Sequence, residues 1–270
     1  MNYDKIIDIV YQASKIMFSK QLKATVKDGN PNDFVTVADT AISDFVKEKL
    51  KEEFPSVGFV TEEEPKHAYL DKTFILDPID GTTNLIYDYK MSSVSLAYQE
   101  KGVVKFGVVF NPFTYELFFG VKGKGAYLYV AKDGIEELLK IGVENYKENR
   151  LKTSDRPIAQ SIIECGLVVS DKTQVEDSFA RAKRVFINCL DLRRTCSTAL
   201  AICYIASGRL DGYFEKKIKP WDYAAGILIL EEAGGKSCDW EGNPLPLDRN
   251  GSILCSNSVI IDDLKKLVVG

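Results

Sequence analysis

Apolar positions recur at helical spacing twice near the start of the chain, and then the period changes. Tyr3, Ile6, Ile7, Val10, Ser14, Met17 and Phe18 share one face, which predicts an amphipathic helix over 3–18. Gly29 and Pro31 stop any helix in the polar, turn-rich stretch from Lys27 to Asp33. Ile42, Phe45, Val46 and Leu50 predict a second helix over 40–53, with Thr40 as N-cap and Asp44 in its first turns. The short apolar runs 57–60 and 73–76 each end in carboxylates and read as buried strands. Residues 94–99, 103–110, 116–121 and 126–131 read as antiparallel strands, with turns at Gly102, Asn111-Pro112 and Gly123–Gly125.

From about 132 to 160 charged residues dominate and no element is assigned. This stretch is the expected boundary between two lobes, 1–150 and 151–270, that form one functional unit. The second half alternates. Strands are expected near 161–169, 185–190, 210–215 and 252–256, and helices near 174–183, 197–207, 222–233 and 260–268, with Gly234-Gly235 ending the third. Mixed strand and helix order points to a layered α/β or α+β architecture rather than a barrel.

The 270 residues suffice for one large core or two coupled lobes, and 45% hydrophobic with 27% charged residues is ordinary for a globular chain. A net charge of −4 lacks the field that gathers nucleic acid or an anionic membrane. An anionic substrate would therefore need metal ions or a local basic cluster. The six cysteines show no C-x-x-C pair, and with a single histidine a Cys/His metal site is close to excluded. Cys196 and Cys203, seven apart on a predicted helix, fit packing. Asp4, Lys5 and Asp8 break any signal-peptide core, and no uncharged apolar stretch has transmembrane length. A cytoplasmic protein with reduced thiols is the expectation.

The chemistry concentrates in 57–84. Asp77 and Asp80 flank Pro78 directly after an apolar strand. Proline fixes its own φ and pushes the preceding residue towards extended backbone. A turn there lets both carboxylates converge, with the Ile79 carbonyl pointing into the same space. Hard divalent cations take such oxygens, and Mg²⁺ takes few protein ligands plus water and phosphate. Gly81-Thr82-Thr83 then opens a helix-like segment whose N–H groups suit a phosphate. Glu62, Glu63 and Glu64 follow the strand at 57–60, where at least one could reach the same cation.

These residues resemble the inositol monophosphatase family, within the lithium-sensitive phosphatase superfamily that includes fructose-1,6-bisphosphatases. The resemblance covers nearly the whole chain. It rests on Asp33-Phe34-Val35-Thr36-Val37-Ala38-Asp39, Thr61-Glu62-Glu63, Asp77 to Asn84, Gly208-Arg209-Leu210-Asp211-Gly212-Tyr213 and Trp221-Asp222-Tyr223-Ala224-Ala225-Gly226. It implies an α+β, layered α-β-α-β-α sugar-phosphatase fold. It also implies two or three Mg²⁺ ions held by Glu62, Asp77, the Ile79 carbonyl, Asp80 and Asp222. Thr82, acting with Asp39 or Glu62, would orient the attacking water. Substrate contacts would come from Asp80, Gly81, Thr82, Ser197, Thr198, Glu215 and Asp222. Mg²⁺ activation, lithium inhibition and a homodimer follow by the same resemblance.

The implied reaction is hydrolysis of a small phosphate monoester, foremost myo-inositol monophosphate, by metal-activated water. His67 is assigned no catalytic role. Without the resemblance, Asp39 and Asp222 also read as helix-start residues favoured by the dipole. Two positions depart from the family pattern. Thr61 replaces a glycine, and Cys196-Ser197-Thr198 replaces the commoner G-S-A or G-T-A. A fructose-1,6-bisphosphatase is the first alternative, with Arg193, Arg194, Lys216, Lys217 and Lys219 as candidate partners of a second phosphate. NADP⁺ dephosphorylation is conceivable too. A 3′-phosphoadenosine 5′-phosphate phosphatase fits less well, because its motif usually continues with Lys-Glu and not Thr83-Asn84. A non-catalytic regulatory protein on this fold predicts decayed metal ligands, yet every matched carboxylate is present.

Overall fold

A computed structural model describes residues 1–18, 24–26, 34–64, 68–167 and 172–270. The turn-rich stretch 27–33, His67 and the end of the strand expected over 161–169 lie outside the described residues. Helix α1 (Tyr3–Ser14) is continued by a 3₁₀ turn to Phe18. Two short strands, β1 (Ala24–Val26) and β2 (Phe34–Thr36), pair antiparallel and carry no alternation long enough to read from sequence. Helix α2 (Val37–Glu53) starts three residues before the expected position. Its N-cap is Thr36, not Thr40, because Thr36 and Asp39 form a reciprocal capping box.

The next eight elements are β3 (Gly58–Thr61), β4 (Lys72–Asp80), α3 (Thr82–Ile86), β5 (Ser93–Glu100), β6 (Val103–Asn111), β7 (Glu116–Val121), β8 (Gly125–Val130) and α4 (Glu136–Ile141). The strands form a six-stranded sheet in sequence order, parallel between β3 and β4 and antiparallel elsewhere. Helix α4 sits in the charged stretch left unassigned, where Leu138 is its one buried residue.

Strand β9 (Ile162–Cys165), helix α5 (Val175–Asn188), strand β10 (Asp191–Arg193), helix α6 (Thr198–Ala206), strand β11 (Gly212–Ile218), helix α7 (Pro220–Glu232), strands β12 (Lys236–Cys238) and β13 (Gly251–Ser256), and helix α8 (Ile261–Val269) follow. The strand expected near 185–190 is instead the end of α5. Ala182 and Val185 face inward at helical spacing, while Phe186 and Ile187 remain 55% and 70% exposed. An apolar run of that length does not separate helix from strand. The second sheet has the order β10-β9-β11-β13-β12.

Helices α1 and α2 cover one face of the first sheet, where Phe74, Leu76, Leu96, Phe106, Val108 and Phe119 point. Ile75, Ala97, Val109 and Phe118 point to the other face, onto α6 and α7, which also meet Tyr213, Ile253 and Cys255 of the second sheet. The outer face of that sheet packs on α5 and α8 through Ile163, Phe214, Leu254, Val185 and Leu264. This is the α-β-α-β-α sandwich. The period-two alternation of the central strands divides their side chains between two apolar layers.

Helix α7 is apolar nearly all round, as a helix between two sheets must be. Its approach to β6 requires Gly107. A Cβ there would lie 2.6 Å from the Ala225 carbonyl oxygen. Gly107→Ala is therefore expected to lower stability by about 1–3 kcal/mol, the usual cost of overpacking, seen as a lower urea midpoint. An unchanged midpoint would show that the two layers are not in close contact there.

Candidate active site

Strand β4 does not stop at Pro78. It pairs with β5 as far as Asp77↔Ser95 and resumes at Asp80↔Ser93, so three steps on β4 match two on β5. The expected turn is thus a bulge within a continuing strand, at a residue with no N–H for the ladder. In a regular strand Asp77 and Asp80 would face opposite sides. The extra residue lets both line one cavity, with Asp77 Oδ1 accepting the Ile79 N–H at 3.0 Å. Gly81 turns the chain into α3 at φ 89°, and a Cβ there would lie 2.7 Å from the Met91 carbonyl oxygen.

Two carboxylates stand at helix starts, Asp222 in the cavity lining and Asp39 behind Thr82. Asp39 Oδ2 accepts the Thr36 N–H (2.7 Å) and hydroxyl (2.6 Å), while Oδ1 accepts the Thr82 hydroxyl at 3.1 Å. The same Thr82 hydroxyl lies 3.0 Å from the Ile79 carbonyl oxygen. Asp222, the third residue of α7 rather than its first, accepts the Lys219 N–H at 2.9 Å. Both carboxylates thus cap the helices they start. Glu62 follows β3, with Oε1 3.4 Å from Lys219 Nζ. Thr61, in place of glycine, buries its hydroxyl against Ser43 at 3.1 Å, and Glu64 turns away to Lys47.

Asp80 is held by a strap from the second half of the chain. Ser197 Oγ and Ala199 N donate to its Oδ2, and Thr198 N donates to its Oδ1 at 3.1 Å. Ser197 precedes α6 without capping it, because its hydroxyl serves Asp80. Cys196 lies ahead of the helix at φ 62°, so it does not share α6 with the buried Cys203. Beyond the strap, Tyr213 donates to Glu215, and its hydroxyl lies 2.9 Å from that of Thr198.

Glu62, Asp77, Asp80, Thr82, Ser197, Thr198, Glu215 and Asp222 line a cavity of about 370 Å³. Oxygens of Glu62, Asp77 and Asp222 lie within 4.8 Å of one another. Burial, and then repulsion from Glu62, Asp80 and Asp222, hold the Asp77 carboxyl well above its ordinary range; Asp222 is raised by burial and then by Glu62. Burial lifts Asp80 to about 6 against the hydrogen bonds of Ser197, Ala199 and Thr198, and lifts Asp39 to about 6 against those of Thr36. Glu215 rises to about 7 by burial, opposed by Tyr213 and Arg194. A cluster of buried oxygens that disfavours its own ionisation suits a hard divalent cation. The donor set fits one.

Every site residue singled out in the sequence lines this cavity except Asp39, which stands behind the lining and meets it through the Thr82 hydroxyl. Of the basic candidates, Arg194, Lys217 and Lys219 line it, whereas Arg193 pairs with Asp191 and Lys216 with Asp177. Glu164 and Tyr213 also line it and were not singled out. Glu164 lies on β9 between Ile163 and Cys165, where a charge within an apolar strand is the available signal. All six cysteines are free thiols, and no helix among the described residues is long and apolar enough to cross a membrane.

The chain matches the model of the Inositol monophosphatase family over residues 3–268. It is 32% identical over 268 residues to an inositol-1-monophosphatase of Rhizobium meliloti, covering 97% of this chain and 94% of that one. It is 34% identical to the Nus factor SuhB of Pasteurella multocida, covering 91% and 86%. Among solved structures, the extragenic suppressor protein suhB of Bartonella henselae superposes with a TM-score of 0.84 at 27% identity, covering 98% and 97%. An IMPase of Thermotoga maritima also reaches 0.84, at 26% identity, covering 99% and 96%.

Raised values in the folded state mean that the native protein keeps protons which the unfolded chain releases from about pH 4 upward. Native stability without a cation therefore declines as pH rises through about 6 for Asp39 and Asp80 and about 7 for Glu215. A bound divalent cation replaces those protons. The rise in melting temperature on adding Mg²⁺ to chelator-treated protein should grow between about pH 5 and 7.5. A gain independent of pH would contradict the shared electrostatics of this cluster.

Proposed function

The chain belongs to the inositol monophosphatase family and is a phosphoric monoester hydrolase; from this we propose that it hydrolyses a small polyol phosphate, foremost myo-inositol monophosphate, with Mg²⁺. The observation that carries the reading is the convergence of Glu62, Asp77 and Asp222 with the Gly81–Thr82 turn in one cavity. Glu62, Asp77, the Ile79 carbonyl, Asp80 and Asp222 would hold two or three Mg²⁺ ions. Bound Mg²⁺ lowers the pKa of water and neutralises charge on phosphate oxygens.

The protein's own groups supply the rest. Gly81 and Thr82 receive the phosphate. Thr82 donates its proton to Asp39 Oδ1, leaving its oxygen free to accept from the attacking water and fix its direction. Glu62, beside the same cluster, is the second group that orients this water. Glu215 and Thr198 face the leaving group, and Glu215 accepts from its hydroxyls. Ser197 fixes Asp80. Residues 1–150 thus supply most of the metal and phosphate ligands, and 151–270 complete them, as one working unit.

The surroundings of Arg194 favour a polyol over a bisphosphate. Its guanidinium lies 2.7 Å from Cys196 Sγ and acts electrostatically on Glu215 and Glu164, while Lys219 is engaged by Glu62. These acidic neighbours offset the positive field that a second phosphate requires.

Phosphate release with Mg²⁺ should be measured on myo-inositol 1-phosphate, fructose 1,6-bisphosphate, 3′-phosphoadenosine 5′-phosphate and NADP⁺. The inositol ester is expected to give the highest kcat/KM, with inhibition by lithium. Faster turnover of fructose 1,6-bisphosphate would overturn the choice of substrate, and no turnover of any ester would overturn the enzymatic reading. Asp80→Asn is expected to reduce turnover to background with unchanged circular dichroism. Near-parental rates in that variant would remove Asp80 from the metal site.

A further inference from the structure

Thr195 is gripped from two sheets. Its N–H and hydroxyl donate to Glu164 Oε1 at 2.7 and 2.6 Å, and its carbonyl accepts from Asn84 Nδ2 at 2.7 Å. Glu164 comes from β9 of the five-stranded sheet, whereas Asn84 lies on α3, just after β4 of the six-stranded one. The second amide hydrogen of Asn84 goes to the Met91 carbonyl at 2.7 Å, so Asn84 is itself fixed. Immediately after Thr195 the backbone enters the left-handed region at Cys196, and the next three residues supply the donors to Asp80.

A non-glycine residue keeps a positive φ only when its surroundings fix it. Here the fixing contacts fall on Thr195 before it and on its own backbone, whose N–H donates to Glu164 and whose carbonyl lies 3.5 Å from Asn84 Nδ2. Glu164 is 1% exposed within an apolar strand, a place where a carboxylate is costly to bury. Its Oε2 has no hydrogen-bond partner among the described residues, so its hydrogen bonding there rests on Thr195 and on the N–H of Cys196.

We infer that Glu164 is a positioning residue for Asp80: by anchoring Thr195 it sets the turn at Cys196 and aims Ser197 Oγ, Thr198 N and Ala199 N at the Asp80 carboxylate. Its influence on the reaction passes through the strap, not through contact with substrate. The inference rests on the reading that Asp80 holds the cation. Glu164→Gln keeps an oxygen acceptor facing Thr195, and Glu164→Ala does not.

The test is calorimetric titration of metal-free protein with Mg²⁺, paired with steady-state kinetics on myo-inositol 1-phosphate. Glu164→Ala should weaken Mg²⁺ binding by about 10–100-fold, the range for groups that orient metal ligands, and Glu164→Gln should recover to within about threefold of the parent. Thr195→Val removes only the hydroxyl donor; it should weaken Mg²⁺ binding less, and it decides the matter if the alanine variant does not fold. Parental Mg²⁺ affinity in the folded Ala variant, or in Thr195→Val where that variant decides, overturns the inference. So does a Gln variant as impaired as Ala. If the parent itself fails to turn over the ester, the phosphatase reading fails, while the calorimetric arm still decides the role of Glu164.

Discussion

Glu62, Asp77 and Asp222 bring oxygens within 4.8 Å of one another where the two sheets meet α7. Unit charges at that separation repel by about 3–4 kcal/mol at an effective dielectric of about 20. Asp77 is only 2% exposed, so water does little to relieve it. Folding assembles this repulsion, and much of the local structure can be understood as containing it. Each of the surrounding carboxylates is anchored by donors that cost the site nothing else. Asp39 and Asp222 cap the helices they start, Asp77 closes on the Ile79 N–H, and Asp80 takes its donors from Ser197 and the first residues of α6.

The layered fold explains why the anchors arrive from so many parts of the chain. Helix α7 is wedged between two sheets, with Gly107 letting it close on β6, and its first turn carries Asp222 to the ends of β3 and β4. The bulge at Pro78 brings Asp77 and Asp80 to one side. Asn84 and Glu164 tie the opposite sheet to the same place through Thr195. A site shared between sheets is rigid only if the sheets are tied, and these contacts are the ties. Preorganised oxygens bind a small cation more tightly than oxygens that must first be gathered.

Much of this was legible in the sequence because it depends on local order. Strand alternation from 94 to 131, the apolar run of 222–233 and the Asp77–Asn84 segment each carry their information within a few residues. Asp39 and Asp222 were harder. The dipeptide context predicts a capping carboxylate, and only the assembled fold shows that capping occupies one oxygen of Asp39 and leaves the other for Thr82. The end of α5 was misread because Val185-Phe186-Ile187 is apolar at any period, and its outward half is settled by neighbours far along the chain. Glu164 was missed for a related reason: its partner, Thr195, lies 31 residues away. The bulge at Pro78 depends on the register of β5, which no local pattern encodes.

The central claim is that mutual repulsion of buried carboxylates is resolved by a divalent cation. Anomalous diffraction from crystals soaked in Mn²⁺ tests it most directly. The account predicts a strong anomalous peak within bonding distance of Glu62, Asp77 and Asp222, with Asp80 on its border. Saturating Mn²⁺ that supports catalysis but leaves no peak at these residues would contradict it.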